Sequence, residues 1–303
     1  MIRNKAPKGL VARARVFALL WHAGQMWGDR PYIEHLDRVA ELVGQAWGCE
    51  WLIAAAYLHD ILEDTDCTEE ELLESFGMYV TCLVYAVSGK GANRKEKQQF
   101  IVANLSLMRE AIKLKLGDRV TNVEFSLATG SVKKLAMYRK EAPLYRELFA
   151  SLNHPLALRL DAMLLPPSPG LCVCILIERN GRYLSVQRRR RMEFLGLPGG
   201  KVDAGEEPVL AALREFEEET GYILALEDLH LLYCNTDETG VNTATFIAKG
   251  NPAWPIEAIG PEGTTVAFVK SEALTSAVSC EFPLYNMALM DVLKSKQSII
   301  QQL

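Results

Sequence analysis

Five residues, Pro166-Pro167-Ser168-Pro169-Gly170, constrain this chain more than any other stretch. Proline gives a helix no N–H and favours extended backbone, so neither helix nor sheet ladder runs through such a segment. Each side must close its own core. The 303 residues allow two cores, and a single core of that size is unusual. Periodicity also changes here. Before the linker, apolar residues recur at three and four over 12–20, 33–47, 51–62 and 100–112, which predicts helices. Thr68-Glu69-Glu70-Glu71 has the form of a capping box. After the linker, 171–177 is a short β-branched run, Asn180-Gly181 is a two-residue hairpin turn, and 183–187 is the return strand. Residues 208–220 read as a helix stopped by Gly221, 243–247 and 265–269 as strands, and 286–293 as a helix. The expected organisation is multi-domain: an all-α domain over 1–165, a linker over 166–170, and an α/β domain over 171–303. No internal repeat or low-complexity tract interrupts it.

The second half contains a dense motif. Gly200 is followed by Glu206 and then by Arg214-Glu215-Phe216-Glu217-Glu218-Glu219-Thr220-Gly221-Tyr222. On a helix, Glu215, Glu218 and Glu219 stand at i, i+3 and i+4, so three carboxylates share one face. Such a face repels itself unless a hard divalent cation neutralises it. Glu217 lies off that face and reads as solvated. Arg214 can pair bidentately and aim a carboxylate. Pro198-Gly199-Gly200 lets backbone approach closely. The spacing matches G-x5-E-x7-R-E-U-x-E-E-x-G-U, with U apolar or aromatic. Seven fixed positions coincide by chance roughly once in 10⁸ starts at average usage. From about 171 to 293 the chain resembles Nudix hydrolases. The resemblance implies an α/β/α sandwich with a mixed sheet. It makes Glu215, Glu218 and Glu219 ligands of Mg²⁺ or Mn²⁺, and Arg214 and Glu218 parts of the catalytic machinery. Glu262, in Pro261-Glu262-Gly263, falls where many such proteins add another metal-binding or basic glutamate. Arg188 to Arg191 reads either as a solvated basic run or as a phosphate contact.

The first half carries His59-Asp60 near the end of an apolar helical run, with His35 upstream and Asp118 downstream. Two imidazoles and two carboxylates suit a borderline divalent metal. An unpaired Asp60 carboxylate beside so apolar a segment would be costly, and metal ligation answers that cost. This is the HD pattern. Three segments sharpen it: Pro31-Tyr32-Ile33-Glu34-His35; Ala54-Ala55-Ala56-Tyr57-Leu58-His59-Asp60-Ile61-Leu62-Glu63-Asp64-Thr65; and Lys115-Leu116-Gly117-Asp118-Arg119-Val120-Thr121-Asn122. From about 11 to 150 they resemble the hydrolase domain of the RelA/SpoT family and the small alarmone hydrolases, which remove the 3′-diphosphate of (p)ppGpp using Mn²⁺. The resemblance implies His35, His59, Asp60 and Asp118 as metal ligands. It implies Glu63 and Asp64 as the pair that orients or deprotonates the attacking water, a division of labour suited to adjacent acids. Tyr32 and Asn122 would line the nucleotide pocket, with His22 and Arg30 on substrate. The chain departs from the family after His22. Gln25-Met26-Trp27-Gly28-Asp29-Arg30 is shorter and holds one basic residue, and Leu36 stands where proline is common. Trp27 offers a stacking surface instead.

Net charge is -5, which gives no global field attracting nucleic acid or an anionic membrane. A polyanionic substrate needs local cations or metal. The expected partners are therefore small nucleotides, with no nucleic acid and no membrane; the sequence leaves oligomeric state open. Seven cysteines are scattered, consistent with a reducing cytoplasm. Cys172 and Cys174 share a strand face and read as core thiols, because no second pair follows at zinc spacing. No stretch approaches the roughly 20 apolar residues of a membrane span, and no signal peptide is visible. The expected function is a bifunctional metal-dependent phosphohydrolase of nucleotides. One alternative makes the HD part a general nucleotidase or NADPH phosphatase. Another makes one domain a regulatory nucleotide sensor.

Overall fold

The computed structural model describes residues 9–187 and 194–303. The basic run Arg188 to Arg191 lies outside the described residues. The chain divides into two compact units, 1–152 and 153–303.

The first unit is helical. In order it contains α1 (Leu10–Trp21), a ribbon of β1 (Met26–Trp27) and β2 (Arg30–Pro31), α2 (Ile33–Trp47), α3 (Glu50–Leu58), α4 (Ile61–Asp64), α5 (Glu69–Val87), α6 (Arg94–Leu105), α7 (Arg109–Ala128) and α8 (Val132–Ala150). Helix α2 buries His35, Leu36, Val39, Ala40, Leu42 and Val43 on one face. Ala54, Ala55 and Ala56 of α3 are fully buried, and their small side chains let α1 and α2 pack close on either side. Helix α7 runs through the middle against α2, α3, α5 and α8, so nearly every residue from 111 to 121 is buried. The capping box forms as expected. The Thr68 hydroxyl accepts from Glu71 N at 3.2 Å, and Glu71 Oε2 accepts from Thr68 N at 2.9 Å.

Two expected helices are interrupted. The run 51–62 stops at Leu58, turns through His59 and Asp60, and restarts as α4. The run 100–112 breaks at 106–108 between α6 and α7. Apolar periodicity continues across both breaks because both flanking segments face the same core. Only a two-stranded ribbon precedes Pro166 among the described residues.

The second unit contains α9 (Pro155–Leu164), β3 (Cys172–Arg179), β4 (Arg182–Gln187), β5 (Gly199–Lys201), α10 (Pro208–Thr220), β6 (His230–Thr236), β7 (Asn242–Lys249), β8 (Glu257–Ile259), β9 (Thr265–Lys270), α11 (Ser271–Thr275), α12 (Pro283–Ser295) and α13 (Gln297–Ile300). The sheet runs β6-β7-β3-β4-β9-β8, with β5 also on β3. It is mixed: β3 and β7 pair in parallel, and the other pairs are antiparallel. Asn180 and Gly181 both have positive φ, 53° and 73°, as the tight hairpin requires. Cys174 and Leu176 of β3 join a core with Tyr285, Leu289 and Met290 of α12. Alternate residues Val173 and Ile175 point to the other face, where α10 packs on β3. No disulfide joins the cysteines. Helix α9 packs on β6, so it groups with the second unit, ahead of the proline segment where the periodicity changes.

Candidate active sites

In the first unit, the interruption after α3 turns His59 and Asp60 toward His35 of α2 and Asp118 of α7. His59 Nε2 lies 3.0 Å from Asp60 Oδ2, 3.5 Å from Asp118 Oδ1 and 3.4 Å from His35 Nε2. His35 Nε2 lies 3.5 Å from Asp60 Oδ2 and 3.6 Å from Asp118 Oδ1. Both imidazoles are 1% exposed. Donor atoms held about 2.1 Å from one cation sit roughly 3 to 3.5 Å apart, so the spacing fits a single ion. The His59 Nδ1–H donates to Ala56 O at 2.8 Å, which turns the Nε2 lone pair into the cluster. Burial alone would lower His59, but Asp60 and Asp118 reverse this and raise it well above its usual value. Burial likewise favours neutral Asp60, yet His59 and His35 hold it well below the carboxylate range.

The surroundings fix these groups. Asn122 Nδ2 donates to Asp118 Oδ1 at 2.5 Å, and Lys115 Nζ lies 2.9 Å from Asp118 Oδ2. Burial opposes charge on Lys115, and Asp118 nevertheless raises its pKa. Lys115, Asp118 and Asn122 stand on one face of α7 at i, i+3 and i+7. Tyr32 OH donates to Asp60 Oδ2 at 2.6 Å and to Asp64 Oδ2 at 3.3 Å. Glu63 Oε1 accepts from Gly89 N at 2.5 Å. Burial raises the pKa of both Glu63 and Asp64; Lys115 opposes it at Glu63 and Asp60 reinforces it at Asp64. Glu63 and Asp64 border a cavity of about 420 Å³ with Trp21, Gln25, Thr65 and Asp66.

The remaining expected substrate contacts fall in different settings. His22 is 3% exposed, bonded through Nδ1 to Gln25 Oε1 and stacked on Tyr32. Arg30 is exposed and 3.8 Å from Glu34. Trp27 stacks on Phe125 with centroids 3.9 Å apart and tilts against His35. The sequence carries no individual signal for three contributors. Lys115 lies inside a motif, and Gln25 inside the shortened segment. The Gly89 N–H is a backbone group without a side-chain signature.

In the second unit the three carboxylates lie on α10. Arg214 makes a fork with Glu206, Nε to Oε1 at 2.9 Å and Nη2 to Oε2 at 2.9 Å. Its Nη1 then reaches Glu215 Oε1 at 2.9 Å and Glu218 Oε2 at 3.1 Å. The bonds to Glu206 and then Glu215 raise its pKa. Glu219 is 4% exposed and accepts from Gly199 N at 2.8 Å. A Cβ on Gly200 would meet Glu215 Oε2 at 2.2 Å, so only glycine allows this approach. Glu217 is exposed, away from these contacts. Glu262 borders a cavity of about 870 Å³ together with Gly199, Gly200 and Lys201, and with Phe282 and Tyr285 at its apolar wall. An all-oxygen donor set of this kind fits a hard cation such as Mg²⁺. Glu206, matched in the motif without a role, is the residue that sets Arg214.

Residues 14–153 match the family model of the HD domain, and residues 167–252 match that of the NUDIX domain. A probable guanosine-3′,5′-bis(diphosphate) 3′-pyrophosphohydrolase of Synechocystis sp. is 32% identical over 152 residues, covering 47% of this chain and 20% of that protein. The guanosine-3′,5′-bis(diphosphate) 3′-pyrophosphohydrolase of Aquifex aeolicus is 35% identical over 153 residues, covering 48% and 21%. The chain thus spans about a fifth of the length of these curated relatives. Among solved structures, a metazoan ortholog of SpoT that hydrolyzes ppGpp matches with a TM-score of 0.47 at 24% identity, over 53% of this chain and 96% of that one.

Proposed function

The chain joins an HD domain to a NUDIX domain, and we propose that it is a bifunctional, metal-dependent nucleotide phosphohydrolase. The HD unit cleaves a phosphate or diphosphate from the ribose 3′ or 2′ position of a purine nucleotide. The Nudix unit hydrolyses a nucleoside diphosphate linked to another moiety. (p)ppGpp is the substrate we assign to the HD unit, and the activity named for the Synechocystis and Aquifex relatives supports this. The observation that carries the reading is that the His35 and His59 imidazoles lie 3.4 Å apart, with Asp60 and Asp118 oxygens 3.0–3.6 Å from them, and with Glu63 and Asp64 following on α4.

We assign Mn²⁺ to the HD donor set and Mg²⁺ or Mn²⁺ to the Nudix carboxylates. A bound cation would supply Lewis acidity to the phosphoryl oxygens and to a water. The protein's own residues do the rest. Glu63 and Asp64 orient that water and move its proton. Tyr32 holds Asp60 and Asp64 in register. Lys115 and Asn122 hold Asp118. In the second unit, Arg214 carries Glu215 and Glu218, Gly199 N aims Glu219, and Glu262, lining the cavity, is a candidate base. The exposed, acid-paired Arg30 and the aromatic Trp27 favour a second reading, in which the HD unit is an NADPH phosphatase or general nucleotidase.

The test is a substrate panel on the full chain with Mn²⁺ or Mg²⁺: ppGpp, NADPH, ADP-ribose and nucleoside triphosphates. Pyrophosphate release from ppGpp with GDP left behind is expected. Phosphate release from NADPH without turnover of ppGpp moves the HD assignment to the second reading.

A further inference from the structure

Gln25 uses every hydrogen-bonding end it has. Its N donates to His22 O at 3.0 Å, and its O accepts from Tyr32 N at 3.1 Å. Its side-chain Nε2 donates to the main-chain oxygen of Asp64 at 2.7 Å, and its Oε1 faces His22 Nδ1 at 2.8 Å. The amide orientation follows from the partners. A carbonyl oxygen only accepts, so Nε2 must face Asp64 and Oε1 must face the imidazole. His22 Nδ1 therefore carries a proton and donates it to Gln25 Oε1. The ring's Nε2 is buried with no partner in the structure.

The imidazole stacks on Tyr32 with centroids 4.9 Å apart and planes 22° apart. Tyr32 OH in turn reaches Asp60 Oδ2 and Asp64 Oδ2. The four residues close a ring: Gln25 to His22, His22 to Tyr32, Tyr32 to the Asp64 side chain, and the Asp64 main chain back to Gln25. Helix α4 is only four residues long and cannot hold its own C-terminal acid rigidly. Gln25 also borders the same cavity as Glu63 and Asp64.

We propose that Gln25 is a positioning residue for hydrolysis in the HD unit. It fixes Asp64 from both ends, by its amide to the main chain and through His22 and Tyr32 to the carboxylate. The inference rests on the reading of Asp64 as an acid that orients the attacking water. A displacement of about 1 Å at such a group costs up to a hundredfold in rate. Gln25 itself contacts none of the proposed metal ligands, so the cost falls mainly on kcat.

The test compares Gln25→Glu and Gln25→Ala in the full chain. Gln25→Glu keeps the acceptor for His22 but sets a carboxylate against the Asp64 carbonyl. Gln25→Ala removes both side-chain contacts and adds no charge. The wild type is first run on ppGpp, NADPH and nucleoside 3′-monophosphates with Mn²⁺, and a substrate that turns over is used for the variants. Mn²⁺ affinity and thermal midpoint are measured alongside. The expected result is a kcat loss of about ten- to a hundredfold in both variants, with KM and Mn²⁺ affinity within about threefold of wild type. A kcat within about twofold in both variants overturns the inference while leaving the function standing. So does a loss of Mn²⁺ affinity that matches the loss of kcat, because that would be a structural role. No turnover of any substrate by the wild type overturns the functional reading, and the inference with it.

Discussion

The two carboxylate sites differ in what balances their charge. In the HD unit, imidazoles and carboxylates pack into a buried cluster, with Lys115 as the nearby cation. In the Nudix unit, an arginine sits among the glutamates themselves, touching Glu206, Glu215 and Glu218. Among the described residues, only the HD unit gathers three ligand atoms within 4.8 Å of one another. Glu218 keeps a side chain that is 46% exposed, while His35 and His59 are 1% exposed. A buried cluster is preorganised and fails as a unit when one member goes. An open face held by a flexible guanidinium tolerates a missing neighbour better, because water can replace it.

The largest effect should therefore come from the buried site. His59→Ala or Asp60→Ala is expected to abolish Mn²⁺ binding and turnover in the HD unit while leaving Nudix turnover intact. Calorimetric Mn²⁺ titration and separate assays check this. Equal loss of both activities in a folded variant would mean that the two sites are not independent. In the open site, Glu218→Gln should cut kcat by about a hundredfold or more, as for loss of a key electrostatic group. The loss should persist at saturating Mg²⁺ and fall mainly on kcat rather than KM. Near-normal kcat would remove Glu218 from the mechanism.

A gentler probe targets the groups behind the ligands. Asn122→Ala leaves Asp118 without its 2.5 Å donor. A loss of about ten- to a hundredfold in Mn²⁺ affinity or turnover is expected. On the Nudix side, Glu206→Gln weakens the fork that holds Arg214, and its effect should be smaller, about tenfold, since Glu215 and Glu218 still hold the guanidinium. If Glu206→Gln cost more than Asn122→Ala, the contrast between buried and open sites would be wrong.

What could be read from the sequence follows the same contrast. The Nudix residues lie within one short segment, so helical periodicity alone puts Glu215, Glu218 and Glu219 on one face. The HD ligands come from three separated segments, and periodicity could not bring His35 to Asp118; the family resemblance supplied that grouping. Neither route revealed the break at His59-Asp60, because the apolar pattern runs through it. Strands β5 and β6 carry no clear sequence signal, for local reasons. Gly199-Gly200 has no strand propensity and is placed by its pairing with β3. The bulge between Leu231 and Tyr233 disrupts the alternation that would have signalled β6. Gln25 carries no signal for this role, since the role depends on contacts to His22, Tyr32 and Asp64 that only the fold brings together.

The smallest effect distinguishes the units by pH. His230, at the start of β6, is 7% exposed, and burial lowers its pKa to about 4 despite the Asp228 carbonyl 2.9 Å from Nδ1. The nearby Asp228 charge does not reverse that burial, unlike the carboxylates at His59. Between about 6.5 and 4 the unfolded chain binds a proton that the folded unit refuses. Stability is thus intact above the unfolded pKa and falls as the pH drops toward 4, by up to about 1.4 kcal/mol per pH unit. Moving from pH 7 to pH 5.5 should cost the second unit roughly 1 kcal/mol, or about 2 to 4 °C in Tm. His230→Gln should flatten this dependence for the second unit alone. Thermal scans of wild type and variant across that range, with unfolding of each unit followed separately, provide the check. An unchanged slope in His230→Gln would show that another group sets the acid sensitivity.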